Sequence, residues 1–196
     1  MASPVFVLIT LILTSAVELP PTTASKSSEA DYIRRSCGVT LYPGVCYSSL
    51  KPYAAAVHHD PVALAVAAAN VSLAKICDAS SRASKLRPGA AGRVAAALRD
   101  CVDSLRTAAE QTEQSTAEIL KLGPSARAGG PGIAWGVSNA QTWMSAALTN
   151  EDTCLDGFDG ISAAKAAAAT DVCNRVRRVK QYTSNALALL NALVHG

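Results

Sequence analysis

Four long segments of the chain repeat an apolar residue every three or four positions, which is the period of an α-helix with one buried face. They cover residues 61–86, residues 90–122, a stretch that begins between 133 and 138 and reaches Thr149, and residues 162–194. Residues that favour strands are too few and too scattered to predict a sheet. The pattern therefore predicts an all-α protein.

Three of these segments have a well-defined buried stripe. The stripes are Val62, Val66, Ala69, Leu73 and Ile76 in the first segment, Val94, Leu98, Cys101, Leu105, Ala108, Thr112 and Ile119 in the second, and Val172, Val176, Val179, Thr183, Leu187, Leu190 and Val194 in the fourth. Most of the apolar residues are Ala and Leu, which favour helices because they lose little side-chain entropy there. Small side chains also let helices pack closely.

The helix ends carry recognisable signals. Asp60 is placed to cap the first helix, with Pro61 at its first position, and residues 87–89 stop it. Residues 123–132 contain four Gly and two Pro, which predicts a loop. Ser138 and Gln141 have the spacing of a capping box, which favours the later start for the third helix, and Ser162 can cap the fourth.

Long helices with mostly short connections predict an up-down-up-down four-helix bundle over residues 60–194. Residues 28–58 precede it and contain Cys37 and Cys46, so we expect a short helical hairpin closed by a disulfide. Cys77, Cys101, Cys154 and Cys173 all lie within about one helical turn of the same height in the bundle. Height alone leaves more than one pairing open among these four cysteines.

The first residues contain an apolar run from Val5 to Leu13, followed by small residues. The run is too short to span a bilayer and is typical of a secretory signal peptide. Cleavage could follow Ala16 or Ala24, and we favour Ala24, which makes residues 1–24 the signal and 25–196 the mature domain. The alternative, a buried N-terminal helix, is disfavoured because two consecutive prolines end the segment abruptly.

A secreted chain with six cysteines is expected to form disulfides rather than a metal site, and no Cys or His has zinc-ligand spacing. Asn70 opens the sequon Asn-Val-Ser, a candidate glycosylation site. We expect a location outside the cell, with no membrane attachment after signal cleavage.

The whole chain has a formal charge of +3, and loss of residues 1–24 removes Glu18 and no cation, which leaves +4. Basic residues cluster at 82–99 and 175–180, acidic residues at 100–118 and 151–159. A nucleic-acid-binding protein would instead show one basic face with interleaved aromatic residues. We interpret the clusters as solvated helix faces, one of which could serve a partner.

Candidate catalytic groups do not form a convincing active site. Asp60, next to His58 and His59, is needed as a helix cap. The Gly-rich loop lacks the Gly-Lys-Ser/Thr ending of a phosphate-binding loop, and surface carboxylate pairs on a helical bundle are not desolvated enough to tune their pKa values. We predict no catalytic residues, no cofactor and no metal, and a protein that binds another protein.

The segment IRRSCGVTLYPGVCYSSL (33–50) resembles the plant invertase and pectin methylesterase inhibitor family, as do AALRDCVDSL around Cys101, QTWMSAALTNEDTCLDGF (141–158) and TSNALALLNAL near the C-terminus. The resemblance runs over about residues 30–194. It implies a four-helix bundle with an N-terminal hairpin and the disulfides Cys37–Cys46 and Cys101–Cys154. Cys77 and Cys173 are then left over, and we hypothesise a third bridge between them, with two buried thiols as the alternative.

The resemblance is closer to the branch that inhibits pectin methylesterase, because no Pro-Lys-Phe segment typical of invertase inhibitors occurs. It implies a one-to-one complex that blocks the enzyme's pectin cleft, with contacts from Gln141, Ser145, Thr153 and Asp156. An acid invertase inhibitor is the alternative function. Since no esterase domain follows before Gly196, we expect a free-standing inhibitor rather than an enzyme pro-region. The sequence leaves the oligomeric state open.

Overall fold

The computed structural model describes residues 23–122, 132–161 and 166–195, and these ranges form helices and turns. The helices are α1 (Thr23–Cys37), α2 (Pro43–Leu50), α3 (Ala54–Val57), α4 (Pro61–Leu86), α5 (Gly92–Lys121), α6 (Gly132–Asp156) and α7 (Ala167–His195). Short 3₁₀ turns at Lys51–Tyr53 and Arg87–Gly89 join α2 to α3 and α4 to α5. The fold is all-α, as predicted. The predicted signal peptide and the cap at Ser162 fall almost entirely outside the described residues.

Helices α4 to α7 form the bundle. Each packs against the next in the chain, and α7 closes the ring against α4, so α4 and α6 lie diagonally opposite each other. The start of α4 is set by the predicted cap: the Asp60 carboxylate accepts hydrogen bonds from the backbone N–H groups of Val62 and Ala63 at 2.9 and 3.2 Å. The order in which α4 to α7 pack around the ring confirms the predicted up-down-up-down bundle.

The N-terminal hairpin of α1 and α2 packs on one end of the bundle. A Cys37–Cys46 disulfide joins its two helices, and Ile33 and Leu50 are fully buried within the core. Asn185 of α7 holds the turn between them, since its side chain accepts from the Tyr42 N–H at 3.1 Å and donates to the Tyr42 carbonyl at 3.0 Å. The hairpin is therefore fixed to the bundle by apolar packing and by one paired amide contact.

Two apolar clusters fill the bundle, one beside the hairpin and one towards the end that carries the Arg87–Gly89 turn. Between them every bundle helix contributes a fully buried polar side chain: Ser72, Thr112, Glu151 and Thr183. We call this set the polar layer. The Thr183 hydroxyl donates to Glu151 Oε1 at 2.6 Å and lies 2.7 Å from the Ser72 hydroxyl. Three helices are thus linked through hydrogen bonds inside the core.

Segment Pro61–Gly89, which is α4 with its following turn, contains an 18-residue window with a mean hydropathy of 1.6, so it is long and apolar enough to cross a membrane by length and composition alone. Helices that form the core of a soluble bundle share these properties. Here α4 packs against both α5 and α7, and its alanines at 65, 68, 69, 79 and 83 are buried. Its apolar composition is accounted for by this packing.

Candidate protein-binding surface

The outward face of α6 holds most of the residues that the resemblance implicates in binding. The helix runs to Asp156, seven residues beyond the predicted end at Thr149, so Thr153 and Asp156 are helical. Ser145, Thr153 and Asp156 are exposed. Because successive residues turn by about 100°, positions spaced by three or four share one side of the helix. We call the exposed line Trp135, Ser138, Thr142, Ser145, Thr149, Thr153 and Asp156 the α6 face.

Gln141 does not join that line. Its side chain is half-buried, and its Nε2 donates to Oδ1 of Asn191 on α7 at 2.7 Å. The residue therefore lies at the α6–α7 boundary. Of the four predicted contact residues, the structure brings three together on the α6 face and places the fourth on its flank.

Hydroxyl groups dominate the middle of the α6 face. Thr142 donates to the Ser138 carbonyl at 2.9 Å, Thr149 to Ser145 at 3.2 Å, and Thr153 to Thr149 at 2.9 Å. Each threonine proton is thus used within the helix, which leaves the hydroxyl oxygen free to accept a hydrogen bond from outside. The face is suited to a partner that supplies N–H or O–H donors.

Charge is nearly absent from the same face. Between residues 132 and 150 the helix has no ionisable side chain. Glu151 is fully buried, and burial raises the pKa of its carboxyl to about 8. Asp152 forms an ion pair with Lys180 of α7. Asp156 is therefore the charged residue that α6 offers on this surface, at its C-terminal end.

Trp135, which is not among the predicted contact residues, is 73% exposed at the N-terminal end of the α6 face. Trp135 lies on a different side of α6 from the buried residues Ile133, Val137 and Ala140. The helical phase of those apolar residues, which the sequence contains, is enough to predict that Trp135 is exposed. Its neighbour Gly136 lies so close to the C-terminal end of α5 that a Cβ there would clash with the side chain of Leu122. Tryptophan is enriched among the residues that contribute most to protein–protein binding.

A disulfide anchors α6 from its buried side. Cys101 of α5 and Cys154 of α6 are bonded, with Cα atoms 4.1 Å apart, and both are about 1% exposed. Cys154 lies between Thr153 and Leu155 and points away from the α6 face. The bond holds the C-terminal half of the surface against α5, and with Cys37–Cys46 it gives the two pairs that the resemblance implies.

The hypothesised third bridge, Cys77–Cys173, is absent, and both thiols are free. Cys77 is exposed in the groove between α4 and α5, beside Leu105 and Ala109. Cys173 is buried, and its surroundings include Asp159 after α6. Equal height in the bundle is not sufficient for two cysteines to meet, because each is rotated about the helix axis by about 100° from the core residue before it. In α4 and α7 these rotations turn both thiols away from the contact between the two helices.

His58 and His59 form a turn whose two residues have positive φ values of 45° and 61°. His58 Nδ1 lies 3.3 Å from Glu29 Oε1, and His59 Nε2 lies 3.3 Å from the Ser28 carbonyl, so both rings contact α1. Asp60 is occupied as the cap of α4. No cluster of three or more potential metal ligands occurs within the described residues. The turn connects the hairpin to α4, and its polar side chains contact α1 or cap α4.

The chain is similar to a known protein family and to several of its members. The family described as "Plant invertase/pectin methylesterase inhibitor" matches residues 31–189. Pectinesterase inhibitor 10 of Arabidopsis thaliana is 37% identical over 171 residues, which cover 86% of this chain and 53% of that protein's length. Pectinesterase inhibitor 11 of the same plant is 34% identical over 194 residues, 95% of this chain and 92% of that one.

The fold also matches a solved structure. A crystal structure of a mutant form of a pectin methylesterase inhibitor from Arabidopsis aligns with a TM-score of 0.61, covers 79% of this chain and 92% of that one, and is 22% identical in sequence. This likeness supports the helical bundle. Together with the match over residues 31–189, it leads to one conclusion: this chain belongs to the plant invertase/pectin methylesterase inhibitor family.

Proposed function

We propose that the protein inhibits pectin methylesterase by forming a one-to-one complex in which the α6 face covers the enzyme's pectin cleft. The observation that carries the proposal is an uncharged, hydroxyl-rich helix face, ended by Trp135 and Asp156, in a chain whose relatives include pectinesterase inhibitors. Inhibition by occlusion needs a rigid complementary surface and no reactive group. The bundle and the Cys101–Cys154 disulfide provide that rigidity.

The α6 face alone is too small for a stable complex. It extends over 22 residues from Trp135 to Asp156, about 32 Å, and a helix is about 10 Å wide. Specific complexes bury about 800 Å² on each partner. We therefore include the flanks of α5 and α7 in the interface, which brings Gln141 to its α7 side.

The same proposal covers secretion and modification. Residues 1–24 act as the signal peptide, and the mature domain works in the apoplast. Asn70 is exposed on α4, which is diagonal to α6. A glycan at Asn70 therefore lies away from the α6 face and leaves the complex intact.

A titration tests the proposed function. We expect increasing inhibitor to abolish the activity of a plant pectin methylesterase with an equivalence point of about one inhibitor per enzyme, because one surface covers one cleft. The measurement is methanol release at a fixed enzyme concentration well above the dissociation constant. Full esterase activity at large excess across several isoforms would contradict the proposal, and inhibition of acid invertase in parallel would favour the other branch of the family.

Arginine substitutions test the location of the surface. We expect Thr153→Arg and Asp156→Arg to weaken inhibition by about thirtyfold together, roughly 2 kcal/mol, because long cations disrupt a complementary interface. Both residues are exposed at the end of α6, so the fold should tolerate the changes. The inhibition constant is compared with the wild-type value, and Trp135→Ala in the same assay tests the opposite end of the face.

The matched control is Ser81→Arg with Asp78→Arg on α4, which adds the same charge on the helix diagonal to α6. This variant should inhibit as the wild type does. If the α6 and α4 variants lose inhibition equally, or if the α6 variants lose none while retaining native circular dichroism, the interface lies elsewhere.

A further inference from the structure

A second surface lies along the junction of α4 and α7. Arg82 Nε donates to Asp171 Oδ2 at 2.6 Å, and Arg175 Nε lies 3.3 Å from the same carboxylate oxygen. Lys75 Nζ lies 5.9 Å from the centre of the Tyr182 ring. Lys85 and Arg178 follow one turn after Arg82 and Arg175. We call Lys75, Arg82, Lys85, Arg175 and Arg178, with Asp78 and Asp171, the α4–α7 groove.

The α4–α7 groove has an excess of positive charge, since five cations face two carboxylates. Asp171 is shared by Arg82 and Arg175, and its hydrogen bond from Arg82 is the main cause that lowers the pKa of its carboxyl. Lys85 and Arg178 are exposed and form no ion pair within the described part of the chain. The surface therefore presents uncompensated cations on both helices.

The other half of the bundle has the opposite charge. Its exposed or half-exposed acidic residues are Asp100, Asp103, Glu110, Glu113, Glu118, Asp152 and Asp156, against four cations on the same helices: Arg93, Arg99, Arg106 and Lys121. The excess of negative charge lies on α5 and α6, and the excess of positive charge lies on α4 and α7. A polyanion would therefore bind preferentially to the α4–α7 side of the molecule.

We propose that the α4–α7 groove binds a linear polyuronate, such as the de-esterified pectin chain that a pectin methylesterase leaves behind. A polyuronate carries one carboxylate on each sugar, and guanidinium groups bind carboxylates through paired N–H donors. Methyl-esterified pectin lacks these charges and is not a ligand. The choice of a polyuronate among polyanions rests on the proposed function, whereas the existence of the basic groove does not.

The position of the groove permits two partners at once. The groove lies on the α4 side of α7, where Arg82 pairs with Asp171. The opposite flank of α7 faces α6, where Asn191 contacts Gln141. A polysaccharide along the α4–α7 groove therefore leaves the α6 face and its α7 flank open. The inhibitor would then be held on the polymer whose further de-esterification it prevents. Because the attraction is between exposed charges, it weakens as salt concentration rises.

The experiment compares binding of the intact secreted protein to polygalacturonate and to fully methyl-esterified pectin at about 0.1 M NaCl, where screening is moderate. We expect binding to polygalacturonate and none to the ester. The double variant Lys85→Glu with Arg178→Glu should bind at least about fivefold more weakly. The control, Arg99→Glu with Arg106→Glu on α5, changes the net charge equally at two exposed sites and should stay within about twofold of the wild type.

Three results would overturn the inference. They are no binding to polygalacturonate, an equal loss of polygalacturonate affinity in the two double variants, and equally tight binding to polyglutamate. The last result would show that the protein recognises the carboxylates and not the sugar chain. Esterase inhibition is measured separately on the same proteins. A protein that binds polygalacturonate through the α4–α7 groove and fails to inhibit any methylesterase would contradict the proposed function and leave this inference standing.

Discussion

Raising the pH from about 5 to about 9 is expected to destabilise the fold through Glu151. Its carboxyl is fully buried, and burial raises its pKa from 4.5 to about 8. Between pH 4.5 and about pH 8 the Glu151 carboxyl stays protonated in the folded protein, whereas in the unfolded chain it has released its proton. This contribution to stability is fully present below about pH 4.5 and is lost progressively as the pH rises to about 8, at roughly 1.4 kcal/mol per pH unit, or on the order of 4–5 kcal/mol in all.

The structure explains why ionisation is costly. Glu151 Oε1 accepts from Thr183, but Oε2 finds no hydrogen-bond partner among the described residues. Lys180 lowers the pKa of the Glu151 carboxyl and Asp152 raises it, and both effects are smaller than that of burial. A negative charge at this point would lie between two apolar clusters with one hydrogen bond to stabilise it.

Urea denaturation followed by circular dichroism at several pH values measures the effect. Glu151→Gln cannot ionise, so its free energy of unfolding should vary much less over the same pH range. Its amide has two N–H donors where the neutral acid has one O–H, which leaves one more unsatisfied donor in the core. The variant should therefore be about 1–3 kcal/mol less stable than the wild type at low pH. Glu110→Gln, at an exposed position of α5, should keep the wild-type pH dependence. Equal slopes for wild type and Glu151→Gln would show that this carboxyl is not responsible.

Removal of the Cys101–Cys154 disulfide is expected to cost about 4 kcal/mol of stability. The bond joins residues 53 positions apart, and the chain-entropy relation gives about this value for such a loop. Cys37 and Cys46 are only 9 positions apart, so removing their bond should cost about 2.5 kcal/mol. Alanine pairs at each bond, compared by urea denaturation under non-reducing conditions, test the difference.

Cys77→Ala is the control for cysteine replacement, because that thiol is free and exposed. It should change the free energy of unfolding by less than about 0.5 kcal/mol. A loss below about 1 kcal/mol for the Cys101→Ala and Cys154→Ala pair would mean that packing between α5 and α6 already restricts the chain as much as the bond does.

Local signals were sufficient where the chain itself sets the helix. Asp60 and Pro61 determined the start of α4, and the predicted range 61–86 is the observed one. In α5 every stripe residue except Val94 is buried. These helices begin or end at capping residues and turns, which are properties of neighbouring residues and can be read from sequence.

Tertiary contacts decided the boundaries of α6. The capping-box pair Ser138 and Gln141 favoured a late start, but α6 begins at Gly132 because Ile133 and Val137 pack into the core. At its other end, burial and cross-linking of Cys154 carry the helix past Thr149. A capping signal contributes about 1 kcal/mol, which burial of two large aliphatic side chains exceeds.

The candidate site was predicted in part, because side-chain direction depends on helix phase. Ser145, Thr153 and Asp156 lie on the α6 face, whereas Gln141 turns to Asn191. The charge pattern predicts a solvated face for the acidic cluster at 151–159, but Glu151 is buried. Its neighbours Asn150 and Asp152 are polar, and nothing in the local sequence distinguishes a carboxylate that faces Thr183 from one that faces water.

The polar layer also fixes how far the helices can slide along one another. An Ala-rich core presents similar small side chains at successive turns, so a shift of α7 by one turn, about 5.4 Å, would cost little packing. Such a shift would separate Thr183 from Glu151 and Ser72 and leave a carboxyl beside alanine and valine, which is unfavourable. The covalent Cys101–Cys154 bond sets the vertical alignment of α5 and α6, and the hydrogen bonds of the polar layer set the alignment of α7 with α4 and α6.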